Sequence, residues 1–237
     1  TLNVKHSTFL KNAANGDGGA IYLENVNSTI INSMFDTNRA YGTGAGIYFA
    51  NSNVNIQTAT FKGGRAKSAS AIYSLNSTSQ IIDCTFELNN ASSTGGAVEL
   101  SHSLIEVSDS DFISNYAEAC GGAISAYLGS TVKVYDSTFE KSSSDGVGGA
   151  FFCELSDLTL NNVNITDSQA NFGSGVAALR TNSTLENVVF KNNHADYNGG
   201  AIYHFYGNLS ADNNQFIKNT ADNGGAIYLN TENTDKF

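Results

Sequence analysis

The sequence predicts an all-β chain folded as a single parallel β-helix of about nine coils, with about 26 residues in each coil. Two columns of apolar residues that recur in register, together with a complete absence of proline, indicate this fold. The aromatic column comprises Phe9, Phe35, Phe61, Phe86, Phe112, Phe139, Ile165, Phe190 and Phe216. The second column, usually preceded by Gly-Gly-Ala, comprises Ile21, Ile47, Ile72, Val98, Ile124, Phe151, Val176, Ile202 and Ile227. Because proline cannot donate a backbone hydrogen bond, its absence favours continuous sheet.

The first half of each coil is illustrated by the repeat around Phe112. Ile105 and Val107 alternate with polar residues, which predicts a short strand with one face directed inward. A bend is expected near Asp109. Ser110 and Phe112 then form the inward pair of a second short strand.

The second half of the same coil carries the small residues. We expect Asn115 to turn the chain and Ala117 to fill a tight place. Glycines 121–122 permit a backbone conformation that a Cβ would disfavour, and Ile124 and Ala126 point inward again. The sequence therefore predicts three short strands and three turns in each coil.

Three further columns keep fixed offsets from the aromatic one. Five residues before it lie Val4, Ile30, Ile56, Ile81, Val107, Val134, Leu160, Leu185 and Ala211. Three residues after it lie Asn12, Asn38, Gly64, Asn89, Asn115, Ser142, Ser168, Asn193 and Asn219. Five residues after it lie Ala14, Ala40, Ala66, Ala91, Ala117, Ser144, Ala170, Ala195 and Ala221. A helical period would not preserve these offsets, so we expect almost no helix. Coils stacked about 4.8 Å apart bring like side chains together, which allows rings to stack and Asn amides to hydrogen-bond.

Composition limits the partners of the chain. Its 12 basic and 22 acidic residues give a formal charge of −10, which disfavours nucleic acid and anionic membrane surfaces. No apolar run reaches the roughly 18 residues of a membrane span. The unbroken repeat predicts one continuous domain over residues 1–237, and the chain begins and ends inside a repeat, as a fragment of a longer protein would.

The three cysteines, Cys84, Cys120 and Cys153, occupy different positions in the repeat. Neither a CxxC motif nor a Cys/His ligand spacing is present, so we predict no metal site, no cofactor and no structural disulfide.

Two literal motifs alternate along the chain. Phe-x-x-Asn occurs at 9–12, 35–38, 86–89, 112–115, 190–193 and 216–219. Gly-Gly-Ala followed by an apolar residue occurs at 18–21, 95–98, 121–124, 148–151, 199–202 and 224–227. This alternation resembles the repeats of the chlamydial polymorphic outer-membrane proteins, whose passenger regions are surface-exposed adhesins, within the wider class of pectin-lyase-like right-handed β-helices. The resemblance implies right-handed winding and an extracellular or cell-surface location. Departures from the motifs occur at 63–64, 69–71, Ser142, and Ile165 with Ser168.

Pectin-lyase-like folds often carry polysaccharide-active enzymes, so a lyase or glycoside hydrolase is the alternative function. A hydrolase needs two carboxylates that converge across neighbouring coils. Acidic residues six positions after the column aromatic are Glu118, Asp145, Asp196 and Asp222, but Ser92 and Asn171 interrupt this column. A lyase base is suggested only by Arg39 and Arg65, which share one column near Asp36. We expect the acids to be solvated turn residues, His204 to be a core histidine, and no residue to be catalytic.

Two sets of surface residues are candidates for interaction. The outward aromatic residues that follow the aliphatic column form a candidate stripe of Tyr22, Tyr48, Tyr73, Tyr203 and Tyr228, with Phe152 in the same column and Glu99, Ser125 and Ala177 interrupting it. Such a stripe is typical of a surface that recognises sugars or proteins, and it is equally typical of ordinary packing across the coils. Candidate glycosylation sequons lie at Asn27, Asn76, Asn90, Asn164, Asn182 and Asn208.

The sequence therefore predicts a non-enzymatic structural or adhesive module of an extracellular or surface protein. Its expected partners are other protein chains, including further copies of itself, or surface glycans. Unpaired strand edges at the ends of a solenoid favour assembly with other chains.

Overall fold

The structure, a computed structural model, describes residues 1–231 and folds as a right-handed parallel β-helix. Each coil passes through four parallel ladders in the same order, and paired residues in consecutive coils are 25 to 27 positions apart. Three ladders contain nine strands and one contains eight, and no residue within 1–231 is helical. The predicted class, coil number and period are confirmed.

The strand bounds define four ladders, which are numbered here in the order that each coil visits them. The first ladder comprises Leu2–Lys5, Ser28–Ile31, Asn53–Gln57, Thr78–Ile82, Leu104–Ser108, Thr131–Tyr135, Asp157–Asn161, Asn182–Glu186 and Leu209–Asp212. The second comprises Thr8–Leu10, Met34–Asp36, Thr60–Lys62, Thr85–Glu87, Asp111–Ile113, Thr138–Glu140, Asn164–Thr166, Val189–Lys191 and Gln215–Ile217. The third comprises Ala13–Ala14, Arg39–Ala40, Arg65–Ala66, Asn90–Ala91, Tyr116–Ala117, Ser143–Ser144, Gln169–Phe172 and His194–Asn198. The fourth comprises Ile21–Glu24, Ile47–Ala50, Ile72–Leu75, Val98–Ser101, Ile124–Tyr127, Phe151–Glu154, Val176–Leu179, Ile202–Phe205 and Ile227–Asn230.

The third ladder corrects the prediction of three strands in each coil. Most of its strands have two residues, and a pair of residues is too short to show the alternation by which strands are recognised in a sequence. A second correction concerns the turn before it. Ser114 has the positive φ of 53° at that corner, whereas Asn115 is fully buried and faces inward. The bend expected at Asp109 is confirmed by its φ of 50°.

The aromatic column stacks as the sequence predicts. Phe86 pairs with Phe112 in register, and their ring centroids lie 4.4 Å apart with planes inclined by 9°. The stack continues from Phe9 to Phe139 and stops at Ile165. Since no ring lies above it, Phe139 also packs at 49° against Phe151 of the fourth ladder.

An internal amide ladder runs beside the rings. The Asn89 Nδ2 donates to Asn115 Oδ1 at 3.0 Å and to the Phe61 carbonyl at 3.0 Å. The Asn115 Nδ2 in turn donates to the Phe86 carbonyl at 2.9 Å. Buried amides are stable here because each finds its partners in the neighbouring coil.

The glycine pair before the fourth ladder meets two separate demands. Gly121 has a φ of +62°, which is unfavourable for residues with a Cβ. At Gly122, an added Cβ would lie 2.2 Å from the carbonyl oxygen of Gly149 in the next coil. The motif therefore permits both a left-handed bend and close approach of successive coils.

Candidate interaction surfaces

The outward residues of the third ladder, with the column two positions further along each coil, form a surface that we call the third-ladder face. Its first column is Ala13, Arg39, Arg65, Asn90, Tyr116, Ser143, Gln169 and His194. Its second column is Asn15, Tyr41, Lys67, Ser92, Glu118, Asp145, Asn171, Asp196 and Asp222. The matching inward residues are mainly the small alanines of the repeat, which keep this side of the coil narrow.

A groove of about 860 Å³ occupies the N-terminal half of this face. Ala13, Ala14, Ala40 and Ala66 contribute its small apolar residues. Its charged lining consists of Arg39, Arg65 and Lys67, and no carboxylate lines it. Tyr41, which is 82% exposed, stands beside these cations. The groove therefore combines an apolar surface, positive charge and an exposed aromatic ring.

The two arginines of this groove are held next to one another by the ladder. Arg39 and Arg65 are direct register partners in adjacent parallel strands, and both are exposed. Neither forms an ion pair or a side-chain hydrogen bond with any residue in 1–231. Like charges directly opposite in a sheet are destabilising, so folding alone gives no reason for this arrangement.

The C-terminal half of the same face is acidic. The Tyr116 hydroxyl donates to Asp145 at 2.7 Å, and this hydrogen bond, with a smaller effect of burial, raises the pKa of Tyr116 to about 12. Asp196 lies 3.3 Å from His194 Nε2, and His194 Nδ1 lies 2.8 Å from the Thr220 hydroxyl. Asp145, His194 and Asp196 line one groove of about 310 Å³. Glu118 and Asp222 extend the acidic column on either side.

Charge is thus segregated along the helix axis, which the overall charge of −10 conceals. Residues 1–67 contain six Lys and Arg and three Asp and Glu, whereas residues 68–237 contain six and nineteen. On the second ladder, by contrast, Lys62 pairs with Glu87 at 2.8 Å. On the first, Lys133 pairs with Glu106 at 3.2 Å. Three cations of the N-terminal coils, Arg39, Arg65 and Lys67, therefore project from the third-ladder face and form no ion pair within residues 1–231.

The tyrosine column of the fourth ladder forms two patches rather than one stripe. Tyr22 and Tyr48 stack at 4.7 Å, and Tyr48 and Tyr73 stack at 5.4 Å. Tyr203 and Tyr228 stack at 5.4 Å near the other end. Of these five, only Tyr22 is largely exposed, at 52%. Burial, with smaller effects of nearby acids and Tyr48, raises the pKa of Tyr73 to about 12. Most tyrosines of this column therefore pack against one another across successive coils, and only Tyr22 presents a large exposed surface.

The middle of that column contains a buried acid, Glu99, which in the sequence is only an interruption of the tyrosines. Glu99 is 9% exposed, accepts a hydrogen bond from the Thr94 hydroxyl at 2.5 Å, and pairs in register with Tyr73 and Ser125. The Thr94 hydroxyl also lies 3.0 Å from that of Ser68. Burial raises the pKa of Glu99, and the hydroxyl partners oppose this rise. The sign of this buried acid in the sequence is a threonine five residues before a glutamate that stands in the tyrosine column.

All six sequon asparagines are exposed. Asn27, Asn76 and Asn208 lie at the corner between the fourth and first ladders, as the spacing predicts, and Asn182 begins a strand of the first ladder beside that corner. Asn164 lies on the second ladder, and Asn90 lines the cationic groove. Glycosylation of these residues stays a prediction.

The cysteines and His204 lie mostly in the interior: Cys84, Cys153 and His204 are buried, and Cys120 is half-buried. All three cysteines are free, and burial raises the pKa of Cys84 to about 11 and that of Cys153 to about 12. His204 is fully buried between Ala178 and Leu229, and its pKa is lowered by burial, so the expectation of a core histidine agrees with its position. Among residues 1–231, no group of three or more His, Cys, Asp and Glu side chains could hold a metal ion. No helix in the same range is long and apolar enough to span a membrane.

Comparison with known families agrees with this architecture. A family model described as a right-handed beta helix region matches residues 19–216. A model of the Chlamydia polymorphic membrane protein repeat matches residues 6–24 and 215–230. No curated protein and no solved structure matches the chain significantly.

Proposed function

We propose that this chain, which belongs to the right-handed β-helix family, is a non-enzymatic structural or adhesive module of a surface protein that binds an acidic partner through its third-ladder face. The repeat of the polymorphic membrane protein family, matched near both ends of the chain, supports a surface-associated β-helix module. The proposed location is extracellular, with the module exposed to other chains or to glycans.

One observation carries the proposal. Arg39 and Arg65 are adjacent, exposed and unpaired within residues 1–231, beside Lys67 and Tyr41. Repulsion between neighbouring cations opposes folding, and local features that oppose stability concentrate at functional sites. An acidic partner would remove the repulsion, while the exposed tyrosine and the arginines supply residue types enriched in binding hot spots.

A direct test uses polygalacturonate as a soluble polymer of carboxylates and dextran as a neutral control. We expect the immobilised chain to retain polygalacturonate at low salt and to release it at high salt, because salt screens exposed charges. Dextran should not be retained at either salt concentration. The variant R39Q/R65Q removes both charges without adding bulk and should lose most of this retention. Equal retention by the wild type and by R39Q/R65Q would contradict the proposal.

The same polymer distinguishes the enzyme alternative. The observation in favour of an enzyme is the shared groove of Asp145, His194 and Asp196. However, His194 and Asp196 are 55% and 61% exposed, whereas a carboxylic acid that donates a proton at neutral pH needs a desolvated site. We expect no new reducing ends after prolonged incubation. Cleavage that disappears in D145N/D196N would establish the alternative.

A further inference from the structure

We propose that the partner of the third-ladder face is a second copy of this chain, placed antiparallel so that the cationic coils of each copy lie against the acidic coils of the other. The inference rests on the proposed function, because it names the acidic partner of the same surface.

The order of charges along the face supports this arrangement. Arg39, Arg65 and Lys67 belong to the second and third coils, whereas the acidic residues belong to the fifth coil and beyond. In the two columns of the face, the coils before the fifth carry no acid, and those from the fifth onward carry no Lys or Arg within residues 1–231. A two-fold axis that lies in the plane of the interface, perpendicular to the helix axis, turns one face against the other and exchanges their halves, so one rotation places the cationic half of each copy against the acidic half of the other. A parallel pair would instead place like charges together.

The shape of the face also suits a rod-like partner. Eight strands spaced by about 4.8 Å make it about 38 Å long, so two copies can lie against one another along the whole length of the face. Tyr41, at 82% exposure, provides an aromatic residue of the kind enriched in interfaces.

A second copy fits the whole face better than an acidic polysaccharide. A polysaccharide would neutralise Arg39 and Arg65 but would be repelled by Asp145 and Asp196 further along the same surface. A second copy presents both signs in the required order. Of the cations on the other ladders, Lys62 and Lys133 are already paired within the chain.

The test is sedimentation velocity of the complete chain at low and high salt. We expect the wild type to dimerise at low salt, with a dissociation constant at least about tenfold higher in 0.5 M salt because exposed charges are screened. The variant R39E/R65E makes the N-terminal half of the face net acidic, and D145K/D196K cancels the net charge of its C-terminal half, so each variant should be monomeric. An equimolar mixture of the two variants should form a heterodimer, because charge reversal on both partners restores complementarity.

A matched control reverses two cations away from the face. Lys191 and Lys218, on and beside the second ladder, are exposed, and K191E/K218E changes the net charge by the same amount as R39E/R65E. We expect it to dimerise like the wild type. Far-UV circular dichroism establishes that every variant is folded.

Three results would overturn the inference: a monomeric wild type at low salt, loss of dimerisation in K191E/K218E equal to that in R39E/R65E, or a mixture of folded variants that stays monomeric. A monomeric wild type that still retains polygalacturonate through Arg39 and Arg65 would identify a glycan as the partner and leave the proposed function intact. A monomeric wild type that retains no polygalacturonate would contradict both the antiparallel dimer and the proposed function.

Discussion

Replacement of Phe112 by alanine tests the packing on which the fold depends. Phe112 is fully buried in the middle coil of the aromatic column. Its ring lies 4.4 Å from that of Phe86 and 4.5 Å from that of Phe139, nearly parallel to both. Because ladders fix the backbone on each side, neighbouring coils cannot close over the missing ring.

The expected cost follows from these contacts. A buried Phe→Ala change costs about 3–5 kcal/mol, and two stacked pairs place this site in the upper part of that range. We expect a loss of about 4 kcal/mol, equivalent to a fall in Tm of about 8–16 °C for a chain of this size. Phe9 is the matched control, because it is only partly buried and stacks on one ring, 4.7 Å away. Phe9→Ala should cost about half as much.

Urea unfolding followed by far-UV circular dichroism measures both variants, since the chain contains no tryptophan to report by fluorescence. The unfolding midpoints should rank wild type, Phe9→Ala and Phe112→Ala in decreasing order. A cost below about 1 kcal/mol for Phe112→Ala, or one no greater than that of Phe9→Ala, would refute the reasoning from cavity formation.

Three further substitutions test other parts of the coil. Asn115→Leu interrupts the internal amide ladder and leaves buried hydrogen-bonding groups of the neighbouring coils unpaired. Thermal unfolding should show a loss of about 2–3 kcal/mol of stability. An unchanged Tm would contradict the stabilising role of the ladder. Gly122→Ala places a methyl 2.2 Å from a backbone oxygen of the next coil and should abolish soluble expression or cost more than about 3 kcal/mol. Its control is Gly129→Ala, which has a φ of +75° but nothing within 4 Å and should cost about 1–2 kcal/mol. Equal effects of the two substitutions would show that the close approach of successive coils at Gly122 is unimportant. Burial raises the folded pKa of Glu99 above its ordinary value of 4.5, so the folded chain holds this proton more tightly than the unfolded chain, and stability is lost as the pH rises between the two values. Glu99→Gln removes this loss, so the Tm of the variant minus that of the wild type should increase from pH 4.5 towards neutral pH, and a difference independent of pH would contradict the assignment.

The aromatic and aliphatic columns could be predicted from the sequence because each occupies an inward position that every coil must fill. Phe112, Val107 and Ile124 are all fully buried, as their alternation predicts. The sequence also shows the break in the aromatic column at Ile165, but it does not show how the neighbouring ring packs. Only the structure shows that Phe139 packs against Phe151 as well.

The third ladder and its charges could not be predicted in the same way. Two-residue strands such as Tyr116–Ala117 show no alternation, and their pairing becomes evident only when coils are stacked. Arg39 and Arg65 share one column in the sequence, but the groove around them is formed by residues from several coils. In the sequence Glu99 is only an exception to the tyrosine column, because burial of a single acid under a turn leaves no periodic signal.

A crystal structure of the chain, measured for the separation between the rings of Phe86 and Phe112, tests the central claim most directly. Register pairing of successive coils predicts that the two ring centroids lie about 4.4 Å apart in adjacent strands of one parallel ladder. Rings separated by more than one coil spacing, or strands paired with a different offset, would contradict the stacking of like residues on which the third-ladder face also depends.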